Sequence, residues 1–409
     1  MNDRDVLPRA MEPRVERLLR TMPILVVTGA RQTGKSTLVR HGALARRRSY
    51  VTLDDVEMLD RAERQPQALL QGHERITIDE VQRAPELLLA IKRSVDERRV
   101  PGRFVLTGSA NLLTMKRVSE SLAGRAAYVS LWPMTRREQR GLGTTGIWSQ
   151  LLDTKDDDWP ELLDAQPVGP VDWRALALRG GYPTPATQLT DDDDRRDWFA
   201  GYTNSYLERD VRDLSAGISL VDFRRLIRAA ALRIGNLLNQ TELARDVSQA
   251  QATVHRHLDL LETSYQFVRV PAFAVNRTKR LIKTPKLFAT DTGLAMYLAG
   301  ETEPRGAHLE NMVLLDLLAW RELLPERPDV CYWRTASGDE VDFVVDHPRG
   351  LLAVEVKAST RPRLDDAKGL RTFRDEYGRK ARAGLLLHAG RETTWLADGV
   401  LAAPFWRVM

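Results

Sequence analysis

Short apolar runs closed by glycine or by charged residues set the pattern of the first part of the chain. Pro23 to Thr28 is an apolar, β-branched run that ends at Gly29, and an amphipathic segment begins at Lys35, which together predict strand, glycine loop and helix. Arg75-Ile76-Thr77-Ile78-Asp79-Glu80 predicts a buried strand with an acidic pair at its C-terminal end. Arg103 to Thr107 predicts a third strand, followed by Gly108-Ser109-Ala110-Asn111. From Gly141 to Val171 the pattern is poor and predicts a variable connector with a short helix. Residues 173 to 214 predict mainly helix around Gly180-Gly181-Tyr182-Pro183, a lid or brace on what precedes. Residues 220 to 297 predict helix, short helix, turn, helix and an extended pair. Asn239 with Glu242 and Ser248 with Gln251 have capping-box spacing, and Val254, Leu258 and Leu261 recur on one helical face. Farther on, Leu309 to Trp320 predicts a helix. Glu340 to Val345 and Leu351 to Lys357 predict a hairpin across the turn His347-Pro348-Arg349-Gly350.

Composition narrows the class. At 409 residues, 43% hydrophobic and 29% charged, the chain is expected to form several globular domains. It has no apolar run of about 18 residues, so no membrane span is expected. Met1 to Arg20 is charged throughout and lacks a signal-peptide core, which predicts a cytoplasmic protein. The single cysteine, Cys331, forms no internal disulfide and fits a reducing compartment. A formal charge of +5 permits association with a polyanion without requiring it. The acidic stretches Asp156 to Asp158 and Asp191 to Asp194 are expected in solvated loops.

The first chemical signal is Gly29-Ala30-Arg31-Gln32-Thr33-Gly34-Lys35-Ser36, continued by Thr37, which matches the phosphate-loop pattern at every fixed position. Its glycines let the backbone curl so that N-H groups face phosphate oxygens. Lys35 is expected to neutralise the β- and γ-phosphates of ATP, and the Ser36 hydroxyl to ligate Mg2+. Asp79 is expected to hold the magnesium through water, and Glu80 to act as general base toward the attacking water. Ser109 is a candidate sensor of the γ-phosphate, with Thr107 and Asn111 as competitors. For adenine only the segment Pro8 to Leu19 is a candidate, by its position ahead of the first strand.

With these residues in view, the chain resembles the AAA+-like ATPases that carry a DUF4143-type C-terminal region. The resemblance rests on Thr28 to Thr37, Ile78-Asp79-Glu80-Val81-Gln82, Leu106-Thr107-Gly108-Ser109, Glu120-Ser121-Leu122-Ala123-Gly124-Arg125 and Arg179-Gly180-Gly181-Tyr182-Pro183. Tyr206-Leu207-Glu208-Arg209-Asp210-Val211 and Pro285-Lys286-Leu287-Phe288-Ala289-Thr290-Asp291-Thr292-Gly293-Leu294 extend it over nearly the whole chain. It implies that Arg125 is an arginine finger reaching a neighbouring subunit's nucleotide, and hence a homo-oligomeric ring, with a hexamer as one candidate size; a surface ion pair is the alternative role for this arginine. Arg209 is a candidate to reach the nucleotide from the lid, against a salt bridge with Glu208 or Asp213.

Residues 220 to 297 resemble a winged helix-turn-helix. Gln251, Thr253, His255 and Arg256 lie opposite the apolar stripe and are candidates to meet DNA. The expected wing, Phe267 to Phe288, adds Arg269, Arg277, Lys279, Arg280, Lys283 and Lys286 as candidate phosphate contacts. Asp342, then Glu355 and Lys357 on one strand face, resemble the PD-(D/E)xK nuclease core, with Glu310 at its upstream acidic position. Asp342, Glu355 and Glu310 are the candidate metal ligands and Lys357 the candidate water-orienting lysine. His308 and His347 are expected as a capping and a turn residue.

The fold class expected is α/β. A P-loop AAA+-like parallel sheet at 1–140 is followed by a connector and helical lid at 141–215, a winged helix-turn-helix at 216–302 and a PD-(D/E)xK nuclease-like domain at 303–409. The function expected is a DNA-associated ATPase that binds or remodels DNA, with branched DNA as one candidate. An ATP-gated nuclease and an oligomeric signalling switch are the alternatives.

Overall fold

The structure, a computed structural model, describes residues 6–108, 122–207 and 219–409. Five strands form the first sheet: β1 (Ile24–Thr28), β2 (Ser49–Thr52), β3 (Ile76–Asp79), β4 (Phe104–Thr107) and β5 (Ala126–Ser130). Their order is β2-β3-β4-β1-β5 and every pairing is parallel. A parallel sheet is covered on both faces by its crossovers, and the alternation within β1 serves this. Ile24 and Val26 pack with Leu87, Leu88 and Ile91 of the helix Leu87–Glu97. Leu25 and Val27 face Met11, Val15 and Leu38 on the other side. The three strands expected from the sequence are present. The edge strands β2 and β5, only partly buried and mixed in composition, gave no such signal. Because all five run the same way, Thr28, Asp79 and Thr107 come to one end of the sheet.

Residues 141–171 differ from the expected connector. Trp148, Leu151, Trp159 and Leu163, on the helices Trp148–Asp153 and Trp159–Asp164, are buried in a core shared with Leu317, Leu385 and Phe405. Their apolar residues are too widely spaced to show a clean period, yet they cover the C-terminal sheet. Both acidic runs are largely exposed, as expected, but neither is a loop: Asp156–Asp158 form a short 3-10 helix, and Asp192, Asp193 and Asp194 open an α-helix. Asp156 accepts from Arg382 Nε and Ala383 N, both at 2.6 Å. Asp191 caps the helix Asp192–Tyr202 by accepting from the amides of Asp193 and Asp194, as carboxylates do at helix starts.

The next unit follows the expected order. Helices Leu220–Ala231, Gln240–Asp246 and Gln251–Thr263 precede β6 (Phe267–Val270) and β7 (Lys286–Ala289), an antiparallel pair. Val254, Leu258 and Leu261 are buried with Phe223 and Leu226. Asn239 caps its helix through the amides of Thr241 and Glu242. The second capping box is absent: Ala250 precedes the helix Gln251–Thr263 with no side-chain cap. Ser248 instead takes φ 56°, a left-handed turn position just past the preceding helix. The segment between β6 and β7 contains a helix, Arg277–Ile282, and leaves its own unit to lie on the last sheet.

That sheet has six strands: β8 (Asp329–Arg334), β9 (Glu340–His347), β10 (Gly350–Lys357), β11 (Gly384–His388), β12 (Thr394–Ala397) and β13 (Val400–Pro404). Their order is β12-β13-β11-β10-β9-β8. β8, β9 and β10 are antiparallel neighbours, β11 and β13 continue β10 in parallel, and β12 closes the edge antiparallel. The hairpin falls where the sequence places it, with His347 opposite Gly350. Helix Gly306–Leu323 covers one face through Leu309, Val313 and Leu317. Leu370 and Phe373 of the helix Lys368–Tyr377 cover the other. Among the described residues no helix is long and apolar enough to cross a membrane.

Candidate functional site

The phosphate loop leaves β1 at Gly29, whose φ is 142°; a Cβ there would lie 2.4 Å from the Leu131 carbonyl oxygen, so only glycine fits. Gly34, left-handed at φ 92°, turns the chain into the helix Lys35–Arg40. Lys35 is buried, and its Nζ donates to the carbonyls of Gly29 at 3.2 Å and Ala30 at 2.8 Å. The Thr33 hydroxyl closes the curl by donating to Ala30 O at 2.9 Å. Arg9 braces the loop from outside. Its buried guanidinium donates to Thr33 O at 2.8 Å, Trp132 O at 2.7 Å and Glu138 Oε1 at 3.0 Å. Sequence reasoning did not find Arg9, since nothing local distinguishes it from the other arginines near the N-terminus.

Asp79 and Glu80 follow different paths at the end of β3. Asp79 is buried and accepts from the Tyr50 hydroxyl at 2.5 Å and from the Thr107 hydroxyl. Burial, then the bond to Asp79, pushes the Tyr50 hydroxyl well above its ordinary range. Thr107 Oγ1 also accepts from the Glu80 amide at 3.3 Å, so Thr107 ties β4 to the acidic pair. Glu80 takes the left-handed φ of 58° and accepts from the Gln82 side-chain amide. Ser109 and Asn111 lie outside the described residues, as do Arg209, Glu208 and Asp213.

A cavity of about 810 Å³ opens here. Arg31, Gln32, Gly34, Lys35, Ser36, Thr37 and Glu80 line it, opposite Val6, Leu7 and Pro8 and the segment Pro183 to Gln188. Of the segment considered for adenine, Pro8, Arg9 and Glu12 reach the cavity. Pro183 arrives there because Asp291, from the unit that contains β7, clasps the loop before it. Asp291 accepts from the amides of Gly181 at 2.6 Å and Tyr182 at 3.2 Å, while Leu294 N at 2.8 Å holds its other oxygen. Burial still raises its carboxyl above the ordinary range. Arg125 is not at this cavity within its own chain; it pairs with Asp96 at 2.6 and 2.9 Å.

The expected DNA residues divide into two groups. Gln251, His255 and Arg256 are exposed and Thr253 is half-buried on the helix Gln251–Thr263, and Arg277, Lys279 and Lys283 are exposed on the segment between β6 and β7. Arg280 departs from the expectation. It is buried, bonded to Asp329 at 2.9 Å and Asp346 at 2.7 Å, and so is used inside the chain. Arg269 pairs with Asp259 and Glu262, and Lys286 is buried too. Spacing along a basic segment did not reveal which cations have carboxylates waiting on another sheet.

Asp342, Glu355, Glu310 and Lys357 do come together where β9 and β10 meet the helix Gly306–Leu323. Asp342 Oδ2 accepts from Val356 N at 2.9 Å and Glu355 Oε2 from Asp342 N at 3.3 Å. Lys357 Nζ lies 2.6 Å from Glu355 Oε1. Burial, then the charge of Asp342, pushes the Glu310 and Glu355 carboxyls up. Lys286 Nζ enters the same group, at Glu340 Oε1 and 3.5 Å from Asp342 Oδ1. Its ammonium is held against burial by Asp342 and Glu340. Among the described residues no group of three or more His, Cys, Asp or Glu side chains is arranged to hold a metal ion. His308 Nδ1 accepts from Arg305 N at 2.9 Å and His347 Nδ1 from Arg349 N at 3.2 Å, the capping and turn roles expected.

Residues 21–139 match the AAA domain, residues 171–305 a domain of unknown function (DUF8612) and residues 305–408 a domain of unknown function (DUF4143). An uncharacterized protein of Mycobacterium tuberculosis is 30% identical over 401 residues, covering 96% of this chain and 82% of that protein. The chain belongs to its family. A second family-like chain, an uncharacterized protein of Haemophilus influenzae, is 23% identical over 379 residues, 87% of each. A Walker-type ATPase of Pyrococcus abyssi aligns in structure over 72% of this chain and 99% of that one, at 16% identity and a TM-score of 0.43. The AAA domain of this family member is a P-loop ATPase-like module, and its phosphate loop and Glu80 line one cavity.

Proposed function

We propose that the protein is a magnesium-dependent ATP hydrolase, acting in the cytoplasm as a homo-oligomeric ring, whose turnover is coupled to DNA. The observation that carries the ATP reading is the cavity of about 810 Å³ in which Gly29-to-Thr37 residues and Glu80 converge. Lys35 now bonds main-chain carbonyls, which are neutral acceptors that phosphate oxygens can displace with a charge-assisted bond. Ser36 and Asp79 would hold magnesium, which neutralises phosphate charge when bound. Glu80 accepts the proton of the attacking water, and Thr107 with Tyr50 keeps the Asp79 carboxylate oriented. Arg125 completes a neighbouring subunit's site only by exchanging Asp96 for phosphate.

The DNA reading is supported by the helices Leu220–Ala231, Gln240–Asp246 and Gln251–Thr263 followed by the antiparallel pair β6 and β7, an order that a winged helix-turn-helix would have, and by the exposed Gln251, His255, Arg256, Arg277, Lys279 and Lys283. Coupling is supported by Tyr265, just past the helix Gln251–Thr263. Its hydroxyl lies 2.9 Å from Thr28 Oγ1, the residue before the phosphate loop, and 3.2 Å from Ser130 Oγ.

Steady-state ATP hydrolysis with magnesium tests this reading, comparing wild type with Glu80→Gln, without DNA and with single-stranded, duplex and four-way-junction DNA at low and moderate salt. Stimulation by one DNA form that Glu80→Gln abolishes is the expected result. Turnover indifferent to every DNA would favour the signalling switch, and no turnover would overturn the ATP reading itself.

A further inference from the structure

The segment from Pro271 to Pro285 is stapled to the last sheet. Ala272 bridges Tyr332 in parallel, Phe273 N donates to Tyr332 O at 2.5 Å, and the Tyr332 hydroxyl donates to Thr284 O at 2.5 Å. Two buried cations, Arg280 within it and Lys286 just past it, pin it to that sheet. Arg280 lies between Asp329 and Asp346, and Lys286 reaches Glu340 and Asp342 at the far end of β9.

The second pin changes what the carboxylate centre can bind. Asp342 gives one oxygen to Val356 N at 2.9 Å and the other to Lys286 Nζ at 3.5 Å. Glu355 gives one to Lys357 Nζ at 2.6 Å and the other to Asp342 N at 3.3 Å. All four oxygens of the pair therefore face nitrogen donors. A divalent ion needs several oxygens at roughly 2.0–2.6 Å, and two ammonium groups at the same oxygens repel it. The residues as arranged do not fit a metal.

We propose that Lys286 is the resident counter-cation of the carboxylate centre formed by Asp342, Glu355 and Glu310, and excludes divalent metal from it while β7 keeps its place beside the last sheet. The centre is then a keyed socket that joins the unit of β6 and β7 to the last sheet. Any metal-dependent cleavage of DNA there requires Lys286 to withdraw first. This inference stands apart from the ATP reading, because it concerns a different unit and a different measurement.

The test is Mn2+ binding to the nucleotide-free full chain, followed by the loss of the free-ion electron-spin-resonance signal. Wild type, Asp342→Asn, Lys286→Met and Lys286→Met with Asp342→Asn are compared. Wild type and Asp342→Asn are expected to share one weak background. Lys286→Met is expected to gain one site at least tenfold tighter, which the added Asp342→Asn removes. A site already present in wild type and lost in Asp342→Asn overturns the proposal, as does a folded Lys286→Met chain that gains none. Should Lys286→Met not fold, the comparison of wild type with Asp342→Asn decides alone: equal background upholds the exclusion, and a difference overturns it.

Discussion

The nucleotide cavity and the carboxylate centre both gather ionic side chains beside strand ends, yet they differ in what those side chains are already doing. In the first, Lys35 rests on two carbonyl oxygens and Ser36 and Glu80 line a cavity of about 810 Å³. In the second, Asp342 and Glu355 spend every oxygen on an N-H or an ammonium. Replacing a neutral carbonyl by a phosphate gains a charge-assisted bond. Pulling Lys286 from its partners leaves buried carboxylates uncompensated, at about 3–5 kcal/mol for such a pair. A motif states which groups meet; their remaining partners decide whether a ligand can take them.

The sharpest way to break that contrast is to neutralise one acid in each centre. Glu80→Gln is expected to lower ATP turnover about a thousandfold, the scale of a lost general base, in a phosphate-release assay. Glu355→Gln is expected to leave turnover within about twofold of wild type, since its charge meets Lys357 and not the nucleotide. Equal losses would mean that the two centres act as one.

The legibility of the two regions follows the same line. The phosphate loop was readable because its requirements are local: glycines at two backbone positions and a lysine and serine at fixed spacing. Strands β1, β3 and β4 were readable because both of their faces are buried. Arg9 was not, because its role depends on Trp132 and Glu138, far along the chain. The hairpin and its carboxylates were visible as alternation, while Lys286, which completes them, was read as a DNA contact. Its partners lie on another sheet, and a sequence pattern records no such distance. The same blindness made a connector of residues 141–171, whose tryptophans bury against strands far later in the chain.

A third acid sharpens the comparison, because it is buried and, among the described residues, no cation is bonded to it. Asp316 Oδ1 accepts from Gly146 N at 2.8 Å and Trp148 Nε1 at 2.6 Å, tying residues 141–171 to the helix Gly306–Leu323. Burial pushes its carboxyl up from 3.8 to about 6. The folded chain therefore holds this proton more tightly than the unfolded chain. The stabilisation is fully present below the ordinary carboxyl range and is lost as pH rises through about 6. Its size is about 3 kcal/mol for a shift of about two units. Asp316→Asn keeps both accepted bonds through its amide oxygen, so the denaturation midpoints of wild type and variant should diverge between pH 4 and 6 and run parallel above. Parallel curves throughout would mean that Asp316 stays ionised when buried.

Arg280 and Arg277 offer a smaller, paired test on one segment. Arg280→Met removes the guanidinium that lies 4.6 Å from the Phe273 ring centroid and strands Asp329 and Asp346, which water partly reaches. A loss of about 2 kcal/mol in chemical unfolding is expected, below the fully buried case. Arg277, largely exposed and 3.8 Å from Asp346, should cost no more than about 0.5 kcal/mol when changed to Met. DNA affinity should reverse the ranking: Arg277→Met flattens its salt dependence by about one unit of slope, and Arg280→Met leaves the slope alone.

The smallest effect bears on how the regions communicate. Tyr265→Phe removes the hydroxyl between Thr28 and Ser130 while the ring keeps its edge-on contact with Trp132 at 5.8 Å. Two modest hydrogen bonds are lost, so stability should fall by about 1 kcal/mol. Basal ATP turnover should hold, because Thr28 keeps its bond to Val129 O at 3.3 Å and the phosphate loop keeps its Arg9 brace. DNA stimulation should fall if this hydroxyl carries the signal from the helix Gln251–Thr263 to the loop. Stimulation that survives intact would move the coupling to another bridge from this unit, the Asp291 clasp on Gly181 and Tyr182, which sets the adjoining Pro183 in the lining of the nucleotide cavity.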